Sequence, residues 1–175
     1  PCDGVETAEC WEIALSKKET PSVLALTRQG LPTLRGDSAE NLCAKGAYIL
    51  ADSAGAPKVT IFASGSEVEI AMTAETELDA DGINTRVVSV PCQELFWAQD
   101  SAYIQSLLCN DSLKIAVEAA VRTSWDRFIG SHGAFIGMTG FGESAPAKDL
   151  FEHFGITAEA VVAKVKGVVS SPFDQ

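Results

Sequence analysis

One arginine, Arg28, is placed where a phosphate ligand would be expected. The apolar run at 23–26 lies within residues 21–32, and this pattern predicts a buried strand that is closed by Leu31 and Pro32. Arg28 would then enter the loop just past the carboxyl end of the strand, where ligands of open α/β sheets collect. A guanidinium presents a planar fork of donors to phosphate oxygens. A lone arginine can equally be a solvated loop residue or half of an interface salt bridge, so the residues alone leave both interpretations open.

Two glycine-containing turns are further candidates for a binding site. Residues 64–66 (SGS) join a predicted strand to a predicted helix, and the free amides of a helix N-terminus attract anions. The segment lacks a G-x-G-x-x-G motif and a Walker lysine, so an ordinary helix start is the alternative. The run 137–146 (GMTGFGESAP) is either a binding loop or a connection that crosses a sheet edge. We favour the connection.

The remaining reactive side chains form no catalytic pattern. His132 and His153 lie far apart, and we expect both at a surface or an interface, with His153 near a helix C-terminus, where a cation suits the dipole. The five cysteines include no C-x-x-C pair, which argues against a disulfide framework or a zinc site and favours reduced thiols. Cys92 is interpreted as a packed side chain. The chain is therefore expected to supply no catalytic, cofactor-binding or metal-binding residue.

The composition is that of a soluble, globular and acidic protein. Apolar residues make up 46% of the chain, charged residues 21%, and the net charge is −11. Such a charge argues against binding to nucleic acid or to an anionic membrane, because both require clustered Lys and Arg. No apolar run approaches the roughly 18 residues of a membrane span, and no signal peptide is visible. We expect a cytoplasmic protein, in which any phosphate site is a local positive spot in an acidic field.

The elements that would position these residues alternate between strands and helices. Strands are predicted at 46–51 (an edge strand), 58–63, 83–90, 113–117 and 134–138. Helices are predicted from residue 3 or 6 to about 18, and at about 66–81, 93–108 (one or two), 124–130, 146–154 and from 157 onward. Ser66 and Glu69 would form a capping box, and Gly82 and Gly155 would end their helices. The alternation predicts a three-layer α/β fold with a mostly parallel sheet and helices on both faces.

The first helix and strand cannot form a stable unit alone. In the helix, Val5, Ala8, Trp11 and Leu15 share one face at helical spacing. We therefore expect residues 1–36 to be the end of an upstream domain in a longer polypeptide, residues 37–45 to be a linker, and residues 46–175 to form a second domain.

Seven segments resemble the transketolase family in order and spacing. They are 6–11 (ETAECW), 27–29 (TRQ), 45–50 (KGAYIL), 63–69 (ASGSEVE), 86–92 (RVVSVPC), 137–146 (GMTGFGESAP) and 154–159 (FGITAE). The resemblance implies that 1–36 ends the pyrimidine-binding domain and that 46–175 is the C-terminal domain. It also implies that Arg28 binds the phosphate of the sugar substrate, although Gly30 stands where the family usually has Asn.

The resemblance further implies a homodimeric enzyme of the pentose phosphate pathway and the Calvin cycle. The enzyme would move a two-carbon ketol unit between phosphorylated sugars with thiamine diphosphate and Mg²⁺ or Ca²⁺, all bound by residues outside this chain. Two alternatives stay open. One is a related thiamine-diphosphate enzyme, such as a dihydroxyacetone or deoxyxylulose phosphate synthase. The other is a module that binds an anionic effector or supplies dimer contacts.

Overall fold

Strands and helices alternate along most of the chain, as the sequence predicts. The computed structural model describes residues 1–36 and 40–169. The helices are α1 (Gly4–Ser16), α2 (Glu67–Ala80), α3 (Gln93–Trp97), α4 (Ser101–Leu108), α5 (Asp126–Ile129), α6 (Ala147–Phe154) and α7 (Ala158–Val169). The strands are β1 (Tyr48–Ala51), β2 (Val59–Ala63), β3 (Thr85–Ser89), β4 (Leu113–Val121) and β5 (Ala134–Met138). Short 3₁₀ turns span Leu42–Lys45 and Arg122–Trp125.

The five strands form one mostly parallel sheet in the order β1-β3-β2-β4-β5. The pairs β2–β3, β2–β4 and β4–β5 are parallel, and β1 joins β3 antiparallel at the edge. The predicted fold class and edge strand are therefore confirmed. The prediction that the fourth strand ends at Val117, before Glu118, is wrong. The strand continues to Val121, because an irregularity after Glu118 lets Val121 pair with Met138 of β5.

Each face of the sheet has its own apolar core. Successive residues of β2 point to opposite faces: Ile61 belongs to a core with α2 and α7, and Phe62 belongs to a core with Phe96 of α3 and Phe128 of α5. The central strand β2 is buried along its whole length, as expected for a parallel strand covered on both sides. The predicted three-layer arrangement follows from this division.

Helix ends agree with the sequence in two cases and differ in one. Gly82 and Gly155 have φ angles of +77° and +65°, the left-handed conformation expected of glycines at helix C-termini. The predicted capping box of Ser66 and Glu69 is absent. Ser66 is itself in helical conformation and makes no capping bond, because its hydroxyl donates to Oε2 of Glu67 at 2.9 Å.

Residues 1–36 differ most from expectation. The helix α1 is confirmed, but the predicted strand within 21–32 is wrong: residues 21–27 form no strand, and Val23 is 95% exposed. A strand requires a hydrogen-bonded partner, and none of the described residues pairs with this segment. The apolar face predicted for α1 exists but does not meet the core, since Trp11 and Leu15 are 49% and 76% exposed.

The predicted linker 37–45 lies partly outside the described residues, and its last four residues form the 3₁₀ turn Leu42–Lys45. Among the residues that the structure describes, no helix is long and apolar enough to span a membrane.

Gly46 connects the 3₁₀ turn Leu42–Lys45 to β1, at a position where no side chain fits. Its φ angle is +81°, and a Cβ atom added there would lie 2.2 Å from the backbone nitrogen of Phe96 and 2.4 Å from the carbonyl oxygen of Cys92. We expect Gly46→Ala to lower the free energy of unfolding by about 3 kcal/mol or more, because it adds a backbone clash to an unfavourable φ. Gly82→Ala is the matched control, since its φ of +77° is similar and nothing lies within 4 Å. Urea unfolding that gives equal losses for both variants would contradict the clash.

Candidate functional site

A cleft of about 770 Å³ lies at the carboxyl edge of the parallel strands. Residues 64–67 after β2, Pro91 and Cys92 after β3, and Glu118 of β4 form one wall. The other wall is formed by α1, through residues that include Cys10 and Lys17, and by residues 20–27. This edge is where open α/β sheets collect ligands, so the sheet topology places the cleft where a site would be expected.

Two carboxylates, those of Glu67 and Glu118, dominate the electrostatics of the sheet-side wall. Oε1 of Glu67 accepts the Ala119 amide at 3.0 Å, and Oε2 of Glu118 accepts the Ser64 hydroxyl at 2.7 Å. Burial and the nearby Glu67 carboxylate raise the pKa of Glu118 to about 7, although the bond from Ser64 opposes that change. This wall repels anions and has a group that can exchange a proton near neutral pH.

The turn 64–66 is better explained as a helix start than as an anion site. The amides of Glu67 and Val68 donate to the carbonyl oxygens of Ser64 and Gly65 at 3.2 and 3.3 Å. These amides are therefore already paired, and the acidic side chains beside them disfavour a phosphate.

Arg28 is exposed in a bend after residues 20–27. Thr27 lines the cleft and its hydroxyl donates to the side-chain oxygen of Gln29, but Arg28 is not among the lining residues. Within the described ranges 1–36 and 40–169, no ion pair involves Arg28. The structure therefore leaves its guanidinium accessible and does not test its predicted role.

The other candidates from the sequence lie away from the cleft or only at its edge. His132 is exposed beside Ser131, and His153 is exposed in the last turn of α6 with its ring 4.8 Å from that of Phe154. Residues 139–146 form an exposed connection from β5 to α6, which agrees with the favoured interpretation of the glycine-rich run. Cys92 is partly buried in the cleft wall, and burial raises the pKa of its thiol.

Sequence reasoning missed the buried carboxylate of Glu6, which fixes the α1 wall of the cleft. Glu6 is fully buried. Its Oε1 accepts the hydroxyls of Tyr48 and Ser89 at 2.7 and 2.5 Å, and its Oε2 accepts the Cys2 amide at 2.6 Å. The available signal was Asp3 three residues before Glu6, a pattern that usually marks an exposed helix start. Here Asp3 does cap the helix, by accepting the Glu6 amide at 2.8 Å.

A second set of polar contacts joins α1 to the residues that follow the exposed segment. Asp3 Oδ2 accepts the amides of Leu34 and Arg35 at 3.1 and 3.2 Å. Glu9 forms an ion pair with Arg35 and accepts the Cys43 amide at 3.1 Å. The hydrogen bond from Cys43 and the charge of Arg35 outweigh burial, so the pKa of Glu9 is lowered.

Comparison with known proteins agrees with this architecture. The model of the family described as "Transketolase-like TK C-terminal domain" matches residues 46–157. This chain belongs to the transketolase family. A transketolase of Rhodobacter capsulatus is 54% identical over 97% of the chain, which corresponds to 26% of that protein. The chain thus spans about a quarter of the length of the curated relatives it matches.

Solved transketolase structures share the fold. The enzyme from Leishmania mexicana superposes with a TM-score of 0.88 at 41% identity, over 97% of this chain and 24% of that one. A transketolase from Pichia stipitis in complex with sedoheptulose-7-phosphate gives a TM-score of 0.86 at 34% identity, with the same coverage.

The cofactor and metal ion that the family implies do not fit the residues described here. Within 1–36 and 40–169 there is no group of three or more His, Cys, Asp or Glu side chains that could hold a metal ion. The acidic wall of the cleft is also unsuited to a diphosphate.

The raised pKa of Glu118 makes stability depend on pH in a defined direction. The folded protein holds a proton on Glu118 up to about pH 7, whereas the ordinary value is 4.5. This contribution to stability is complete below about pH 4.5 and is lost as the pH rises through 7. Glu118→Gln removes the titration, so the variant should gain roughly 2–3 kcal/mol relative to the parent between pH 5 and pH 8.

Urea unfolding at both pH values measures that gain. Glu77→Gln is the control, since Glu77 is exposed on α2. A constant difference between Glu118→Gln and the parent at the two pH values would contradict the assignment.

Proposed function

We propose that this chain is the C-terminal part of an enzyme that transfers a two-carbon ketol unit between phosphorylated sugars. The supporting observation is the family match, which covers 97% of the chain at 54% identity. In this proposal thiamine diphosphate and Mg²⁺ or Ca²⁺ are bound by other parts of a homodimeric enzyme. Its place in the cytoplasm, in the pentose phosphate pathway or the Calvin cycle, rests on the family resemblance.

The proposed division of the chain assigns residues 1–36 to the end of the pyrimidine-binding domain, 37–45 to a linker and 46–175 to the C-terminal domain. The family match begins at residue 46. Trp11, Leu15, Val23 and Leu26 are each about half exposed or more. Large apolar side chains left exposed on neighbouring stretches of chain are candidates for an interaction surface. We assign that surface to contact with the remainder of the upstream domain.

Arg28 is the proposed ligand of the substrate phosphate. Its guanidinium is exposed and has no ion-pair partner in the described part of the chain, so it is available to a phosphate dianion. Arg28 does not line the cleft. This separation from the acidic wall favours the assignment, because Glu67 and Glu118 would oppose an anion bound beside them. The sugar phosphate in the Pichia stipitis complex is of the substrate class that this assignment requires.

The function is tested by assaying ketol transfer with thiamine diphosphate and Mg²⁺. We expect activity from a full-length protein that contains this sequence and none from the 175-residue chain alone, because the chain spans only about a quarter of the length of its relatives. Absence of transfer by a correctly folded full-length protein would refute the proposal. Condensation of pyruvate with glyceraldehyde phosphate, or transfer to formaldehyde, would instead support one of the related thiamine-diphosphate enzymes.

Arg28→Ala in the full-length enzyme should raise KM for phosphorylated sugars with little change in kcat. Loss of one charge-assisted phosphate contact costs on the order of 1.5–3 kcal/mol, which corresponds to roughly a 10- to 150-fold change in kcat/KM. Lys18→Ala is the control, because it removes an exposed cation from the same segment. Equal kinetics of Arg28→Ala and the parent towards phosphorylated acceptors would refute the role, even if ketol transfer itself is confirmed.

A further inference from the structure

Two thiols, Cys10 of α1 and Cys43 of the 3₁₀ turn Leu42–Lys45, meet where these elements pack together. Sγ of Cys43 lies 3.9 Å from the carbonyl oxygen of Glu6. In an α-helix that oxygen accepts the amide of the residue four positions later, which is Cys10. The backbone contact therefore places the Cys43 thiol beside the turn of α1 that ends at Cys10, and each of the two cysteines alters the pKa of the other.

Their position is fixed by contacts that do not involve the sulfur atoms. The Cys43 amide donates to Oε2 of Glu9 at 3.1 Å, and the side-chain amide of Asn41 donates to the carbonyl oxygen of Glu9 at 3.1 Å. These bonds hold the turn against the same stretch of α1 that carries Cys10.

The two thiols differ in access and in protonation. Both line the cleft, but Cys10 is partly exposed whereas Cys43 is buried. The neighbouring Cys43 lowers the pKa of Cys10 against the opposing effects of burial and of Glu6 and Glu9. The neighbouring Cys10 and burial raise the pKa of Cys43. An accessible thiol of lowered pKa beside a protected thiol is the arrangement of a peroxide-reactive cysteine and its resolving partner.

We propose that Cys10 and Cys43 form a disulfide when the protein meets a hydroperoxide. The Cys10 thiolate attacks one peroxide oxygen, the O–O bond breaks, and hydroxide leaves to give a sulfenic acid on Cys10. The sulfur of Cys43 then attacks the sulfenic sulfur, the S–S bond forms, and the hydroxyl leaves as water with the Cys43 proton. Two thiols lose two electrons in total, and hydrogen peroxide is reduced to two waters.

The disulfide would join α1 covalently to the start of the sheet domain. The chain between the two cysteines contains the exposed segment 20–27 and Arg28, so oxidation closes a loop around them. The inference concerns only α1 and the turn. It stands whether or not the proposed function is correct.

Peptide mapping after oxidation tests the proposal. The folded chain is treated with a small excess of hydrogen peroxide, free thiols are alkylated, and the protein is digested with trypsin and a protease that cleaves after Glu. Cleavage at Glu6 and Glu9 separates Cys2 from Cys10, and cleavage at Arg35 separates Cys10 from Cys43. We expect one main linked pair, between the Cys10 and Cys43 peptides, that disappears on reduction.

Three variants assign the two steps. Cys43→Ser should accumulate a sulfenic acid on Cys10 that dimedone labels, whereas Cys10→Ser should leave Cys43 unlabelled. Cys109→Ser is the control, because Cys109 lies at the end of α4, outside the cleft lining, and it should form the Cys10–Cys43 link as the parent does.

Two results would overturn the proposal. In one, both cysteines of the parent stay alkylatable under conditions that oxidise a control dithiol. In the other, Cys43 is linked mainly to Cys2, or Cys10 mainly to Cys92. The linked peptides are measured on the chain without substitutions, so the test does not depend on whether a variant folds.

Discussion

The buried carboxylate of Glu6 is the interaction on which the arrangement of α1 depends. Burying an ionised group costs several kcal/mol unless hydrogen bonds replace its hydration. Glu6 accepts bonds from the Cys2 amide, the Tyr48 hydroxyl and the Ser89 hydroxyl. Each such bond to a charge contributes about 1.5–3 kcal/mol. Because the donors belong to the chain start, β1 and β3, the helix can satisfy the carboxylate in only one position and orientation on the sheet.

Several features of the cleft follow from that single position. With α1 held over the edge of the sheet, Cys10 and Lys17 face residues 64–67 and Glu118 across the cleft. The same placement brings Glu9 to Arg35 and to the Cys43 amide, which sets the two thiols side by side. The acidity of the opposite wall then determines what the cleft can hold. Glu67 and Glu118 lie at the edge of the sheet where many α/β proteins bind phosphate, and they make this edge unsuitable for it.

Most strands and helices after residue 45 could be predicted from the sequence, whereas the conformation of residues 21–32 could not. The difference has a physical cause. The strands β2 and β5 and the helix α7 could be predicted from apolar runs and spacing, since their apolar residues are buried or partly buried in the cores of the described chain. Residues 21–27 have an equally strand-like pattern but form no strand, because pairing depends on a partner that the local pattern cannot supply. Glu6 was missed for the complementary reason. Its burial depends on Tyr48 and Ser89, which are distant in sequence, and the same separation conceals the contact of Cys10 with Cys43.

The two faces of α1 differ in what they contact. The face that carries Glu6 meets the sheet, and the face that carries Trp11 and Leu15 stays exposed. Trp11 and Leu15 lie away from the core, and in the proposed division of the chain they pack against the upstream domain. An apolar helix face tolerates small shifts in register, whereas a buried carboxylate with three directed donors does not. Glu6 therefore sets the angle at which α1 meets the sheet, and in the proposed division of the chain apolar packing would complete the upstream side. A residue such as Arg28, at the end of an otherwise unpaired segment, can hold a fixed position relative to the sheet only if that angle is fixed first.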